Sequence, residues 1–162
     1  MQSSRPHNRW IIALSFLVAY ILSVFPLPMD WRWLRPEFVA LLVIYWVVMM
    51  PQHLGVGMAW CAGLVQDVIE GAALGEHALA LVVVAYVCQI SYQRILNYVI
   101  WQQAGLVFVL IGIHQLFCNW VHGLAGYSAP PQVFLVPALI SAMLWPLVVP
   151  LFDHFRTHFG VT

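Results

Sequence analysis

Two stretches of the sequence carry side chains whose types and spacing are able to do chemistry. In GVGMAWCAGLVQDVIEGAALG, residues 55–75, one carboxylate, Asp67, stands in a line of near-absent side chains, because Gly55, Ala59, Gly63, Gly71 and Gly75 recur with it at every fourth position. Asp67 and Glu70, three residues apart, fall on one helical face, where two carboxylates are able to share a proton. No matching acid or base stands out in another apolar stretch, so the pair reads as part of a charged rim rather than a pump. In the second stretch His114, Gln115, Cys118, Asn119 and His122 lie within an arc of about 140° on a helix. Histidine and cysteine bind zinc or haem, but a closed zinc site needs four ligands, and no second cluster is evident along the chain. The expectation is that this face supplies hydrogen-bonding glue between helices or the wall of a cavity, with no metal and no cofactor. There is no G-x-S-x-G, no HExxH and no Walker loop, and the serines are scattered without an evident base. The chain is therefore not expected to be an enzyme.

Composition limits what can position these residues. Of 162 residues, 63% are hydrophobic and 7% are charged, and the mean hydropathy is +0.88. A soluble domain carries about 25% charged residues, so the expectation is an all-α integral membrane protein. There is no lysine, and six arginines balance six acidic residues, so no basic surface exists for nucleic acid. Cys61, Cys88 and Cys118 lie in separate apolar stretches without CxxC spacing and read as small buried hydrophobes.

The apolar pattern divides residues 1–162, taken as one transmembrane domain, into a compact bundle of about six spans, near 10–28, 35–50, 54–72, 77–93, 104–124 and 133–152. Pro36 suits the first turn of the second helix, and Pro51 breaks the chain between the second and third. Residues 93–103, with polar side chains among Ile95, Leu96 and Val99, suggest a short interfacial helix. The Gly-Pro break GYSAPPQ precedes the sixth span, where Pro137, Pro146 and Pro150 are expected to kink the helix.

Within lipid, helices associate by close backbone contact along small-residue ridges, so the line from Gly55 to Gly75 is expected to be a packing ridge for another helix. An ionisable group inside a span costs at least ~2.5 kcal/mol on insertion scales, so Asp67 should face protein or trapped water. Six spans with both termini cytoplasmic place Arg5, Arg9, Arg94 and Arg156 inside and Arg32 and Arg35 outside, in keeping with the positive-inside rule. In that orientation Asp30, Glu37, Glu70 and Glu76 form an outer rim. Arg35, on the same side as Asp67 and with a stem that snorkels, is the expected counter-charge. A polar group of the fifth helix is the alternative.

Several segments in order resemble the MreD family of rod shape-determining membrane proteins. They are RW before the first span, LRPEFVALLVIYWVVMMPQHLGVGMAW across the second and third, GLVQDVIEGAALGEHALA, WQQA before the fifth and LWPLV in the last. The spacing of Gly63, Asp67, Gly71 and Gly75, with Arg35-Pro36 upstream, is the most specific part. The resemblance implies a non-catalytic scaffold of the bacterial inner membrane in the cell-elongation machinery of lateral peptidoglycan synthesis. Implied partners are the single-span periplasmic protein MreC, the RodA glycosyltransferase with its transpeptidase, and the MreB cytoskeleton. The fold implied is similar to the S-components of ECF transporters, which supplies the alternative of a small-molecule-binding transport subunit.

Overall fold

The computed structural model describes residues 9–26, 34–124, 126 and 135–160. These form six helices and no strand: α1 (Arg9–Val24), α2 (Phe38–Met49), α3 (Val56–Glu70), α4 (Glu76–Asn97), α5 (Ile100–Leu124) and α6 (Val136–His158). The all-α bundle expected from the apolar pattern is present. Three of the helices, α4, α5 and α6, are long and apolar enough to cross a membrane, whereas α1 and α2 are shorter apolar helices. Asp30, Arg32, both chain termini and most of GYSAPPQ lie outside the described residues.

The bundle is built around α2. Its sequence, FVALLVIYWVVM, is apolar on every side, and Val39 through Val48 are all buried. A helix without a polar face has no side to give to water, and here α1, α4, α5, α6 and α3 all pack on it. It stops at Met49 because Pro51 pushes the residue before it out of the helical region; Met50 has φ −134° and ψ 57°. Its polar atoms bind to neighbouring helices: Tyr45 OH donates to Asp153 Oδ1 (2.8 Å) on α6, and Trp46 Nε1 to Ser15 Oγ (3.1 Å) on α1. Ahead of α2, the Glu37 N–H donates to Ser141 Oγ at 2.8 Å. Buried polar groups need such partners, and in a medium without water they come only from protein. The outward surface is apolar instead, with Leu17, Ile90, Leu116, Met143 and Leu147 more than half exposed.

Several boundaries differ from those read in the sequence. Residues 94–97 continue α4, and α5 begins at Ile100 after a break at Tyr98; the interfacial helix does not exist as a separate element. Arg94 in the last turn of α4 and Glu76 in its first complement the helix dipole, which favours the longer helix. Pro137 lies in the first turn of α6, where its missing N–H breaks no bond. Only Pro146 and Pro150 are interior, and α6 runs through both. Pro36 precedes α2 by two residues, and the Phe38 N–H closes a turn onto its carbonyl (3.0 Å).

α3 and α4 form an antiparallel hairpin, and α3 also meets α1. There Tyr20 OH donates to the Ala62 carbonyl at 2.7 Å. The small residues of α3 face α4 over its first two thirds. A Cβ built on Gly55 would lie 3.0 Å from the Gln89 side chain, and one on Gly63 only 2.3 Å from Ala78 Cα. Ala59 between them is wholly buried. Gly71 and Gly75 are not part of this contact. Both lie in the turn, at φ 67° and φ 98°, and a Cβ on either would meet nothing within 4 Å. The expected five-residue ridge is thus three residues of close packing followed by two glycines that supply left-handed backbone.

Candidate functional site

Asp67 controls both sides of the α3/α4 turn. Its backbone carbonyl accepts the N–H groups of Gly71 and Ala72, closing the C-terminus of α3 over a left-handed glycine in the manner of a Schellman motif. Its carboxylate reaches forward to the start of α4, where Oδ2 accepts the Gly75 N–H (2.8 Å) and Oδ1 the His77 N–H (2.9 Å). The first amides of a helix need an acceptor, commonly the side chain of the N-cap residue. The N-cap here is Gly75, which has no side chain, and Asp67 takes over from the preceding helix. A negative charge is also favoured at a helix N-terminus. The spacing Gly63-Asp67-Gly71-Gly75 therefore encodes close contact, acceptor, helix stop and helix start.

Asp67 does not pair with Arg35. Its side-chain partner is His77, whose Nδ1 lies 2.9 Å from Oδ1, with both groups buried. Arg35 donates instead to the backbone carbonyls of Ser23 and Phe25 at the end of α1. Those carbonyls have no intrahelical donor, so the guanidinium caps a helix C-terminus, where the dipole also favours a cation.

Around this turn the ends of α3 and α5 meet the beginnings of α2 and α4, and their polar residues gather. Glu70 holds the Gln66 amide at 3.0 Å and lies 3.8 Å from His77 Nε2. Glu37 takes a side-chain hydrogen bond from Gln115 and lies near His77, Glu70 and Arg35. Glu76, expected on an outer rim, has a fully buried side chain, with His122 Nδ1 3.2 Å from Oε1. The rings of His77 and His114 are 5.7 Å apart, and His114 is 1% exposed. Asn119 is also engaged.

On the polar face of α5, His114 and Cys118 are buried, Gln115 and Asn119 are partly buried and His122 is exposed, and the two stretches singled out in the sequence converge on one cluster. Sequence reasoning missed Glu76 and His77. Their signal is the run EGAALGEH, in which glycines at both ends of a five-residue break mark a helix stop and a new start and so place the next residues opposite Asp67.

A bundle with a wholly apolar central helix, an apolar exterior and a polar end tied up in holding helices together defines a multi-helix integral membrane protein. Residues 4–155 match the family described as rod shape-determining protein MreD, and the chain belongs to that family. A curated relative, "Rod shape-determining protein MreD" of Haemophilus influenzae, is 31% identical over 153 residues, covering 91% of this chain and 92% of that protein. No solved structure matches.

Proposed function

We propose that this chain is a non-catalytic scaffold of the bacterial inner membrane that holds an MreC-like single-span periplasmic protein within the cell-elongation machinery. Through that partner it would engage the RodA glycosyltransferase, its transpeptidase and MreB. The observation that carries the reading is the family match over residues 4–155, which takes in five helices whole and all but the last three residues of α6. The site geometry supports it, because Asp67, His77, Gly71 and Gly75 are used in fixing a turn between helices rather than in presenting a reactive group to an open pocket.

In this reading all six helices lie in the membrane, both termini are cytoplasmic, and the polar cluster sits toward the periplasmic face. Cysteines introduced at Ser3 and at Thr162, in a chain with Cys61 replaced by Ser, should resist an impermeant thiol reagent in intact cells and react after permeabilisation. Reaction of either before permeabilisation would contradict this arrangement. For the scaffold role, the tagged chain purified from membranes should bring down the single-span periplasmic protein at a fixed ratio, and its depletion should cost cells their rod shape. A chain that purifies without that protein but takes up a small solute when reconstituted with an ATPase module would instead be a transport subunit.

A further inference from the structure

We propose that Glu76, His77 and Cys118, with His114 as the fourth ligand, form a zinc-type divalent-metal site inside the polar end of the bundle. The first three are all buried, and one ligand atom from each lies within 4.8 Å of the others. Ligand atoms of a tetrahedral zinc site lie about 3.3–3.8 Å apart at Zn–N, Zn–O and Zn–S distances of about 2.0–2.3 Å. Small side-chain rotations would bring these three to that spacing, and His114, whose ring centroid is 5.7 Å from that of His77, would have to swing in to complete the four.

Three further observations point the same way. Among the described residues Glu76, 2% exposed, accepts no hydrogen bond, its Oε1 having only the ion-pair contact with the half-exposed His122 ring at 3.2 Å, and neither ring nitrogen of the buried His114 has a partner. A metal would engage both residues. Next, His77 is held as a metal-ligating histidine is held: Asp67 accepts its Nδ1–H at 2.9 Å, which fixes the tautomer and leaves the Nε2 lone pair for a cation. Last, the carboxyl groups of Glu37, Asp67, Glu70 and Glu76 gather around Cys118, while the guanidinium of Arg35 donates to the carbonyls of Ser23 and Phe25.

The donor set selects the class of ion. One thiolate and two imidazoles disfavour magnesium and calcium, which take oxygen, and favour zinc or a neighbouring transition metal. Glu76 carboxylate and Cys118 thiolate together neutralise a divalent ion, so the buried site would carry no net charge. Binding replaces the Cys118 thiol proton by the metal and releases that proton to water. Only the α5 half of this set stands out in the sequence; the turn at Asp67 brings the α4 half to it.

The test uses the full chain in detergent or nanodiscs, stripped with a chelator and titrated with Co²⁺ as a spectroscopic substitute for Zn²⁺. We expect saturation at one cobalt per chain, a thiolate-to-cobalt charge-transfer band, and loss of the band on adding Zn²⁺. Cys118→Ser should abolish the band with an unchanged gel-filtration profile, whereas Cys61→Ser and Cys88→Ser should keep it. Should Cys118→Ser fail to accumulate, X-ray absorption of the zinc-loaded unmodified chain decides: sulfur scattering at about 2.3 Å is expected, and its absence overturns the proposal. No cobalt bound, cobalt bound without the band, or a band that survives Cys118→Ser would each overturn it too. None of these readouts involves the periplasmic partner, so failure here leaves the scaffold reading standing.

Discussion

Gly63→Leu is expected to leave little folded chain in the membrane, and Gly63→Ala to lose a large part of it. A Cβ at this position would meet Ala78 Cα at 2.3 Å, Ala78 N at 2.5 Å and the His77 carbonyl carbon at 2.8 Å. All three are backbone atoms in the first turn of α4, so no side chain can rotate away. The helices must separate by about 1 Å before ordinary contact is restored. That movement also draws the His77 N–H and ring away from Asp67, both now at 2.9 Å, and so loosens the turn. Overpacking typically costs about 1–3 kcal/mol, occasionally more; with rigid backbone on both sides, Gly63→Ala should reach the upper end and Gly63→Leu exceed it. About 3 kcal/mol is a more than hundredfold change in the folded ratio. Gly105→Ala is the control, since a Cβ there meets nothing within 4 Å. Membrane abundance and thermal unfolding in detergent should be near normal for Gly105→Ala and severely reduced for Gly63→Leu. Equal behaviour of the two would mean that α3 and α4 do not approach here.

Asp67→Ala should be nearly as damaging, for a different reason. The carboxylate is the acceptor for two backbone N–H groups and one imidazole N–H. Removing it strands those donors at about 1–3 kcal/mol for each one buried, and the sum is a large fraction of an ordinary folding free energy of about 5–15 kcal/mol. Asp67→Asn keeps one acceptor oxygen but points an amide N–H₂ at donors, so its loss should be intermediate. Arg35→Gln should cost less than either, because the carbonyls it caps stand at the partly exposed end of α1. Hydrogen exchange at the start of α4 is the sharper readout. Protection at His77 should fall in Asp67→Ala and persist in Arg35→Gln, and unchanged protection in Asp67→Ala would show that the carboxylate is not the cap.

The fold was legible in the sequence to the extent that hydrophobicity decides it. The order of the six helices follows from apolar runs separated by Pro and Gly, and the burial of His114 and Cys118 on α5 agrees with the polar arc they share. What was not legible turns on the roles of small and polar residues. A glycine every fourth position looks the same whether it faces another helix, as at Gly63, or ends its own, as at Gly71, because only the backbone φ distinguishes them. The Arg35 expectation failed because arginine satisfies carbonyls as readily as carboxylates, and the end of α1 offered two of them. Glu76 was read as part of an outer rim because the six-span topology puts it at the outer face, just ahead of the fourth span, and its own residue type does not announce that α5 closes over it.

The central claim is that Asp67 organises the bundle by joining α3 to α4 through His77. The most direct measurement is a pair of double-mutant cycles for unfolding in detergent, Asp67→Asn with His77→Gln and Asp67→Asn with Arg35→Gln. The structure requires strong coupling in the first cycle, with the double variant clearly less damaged than the sum of the singles, and additive losses in the second. Additivity with His77 together with coupling to Arg35 would contradict the account and restore the ion pair that the sequence alone suggested.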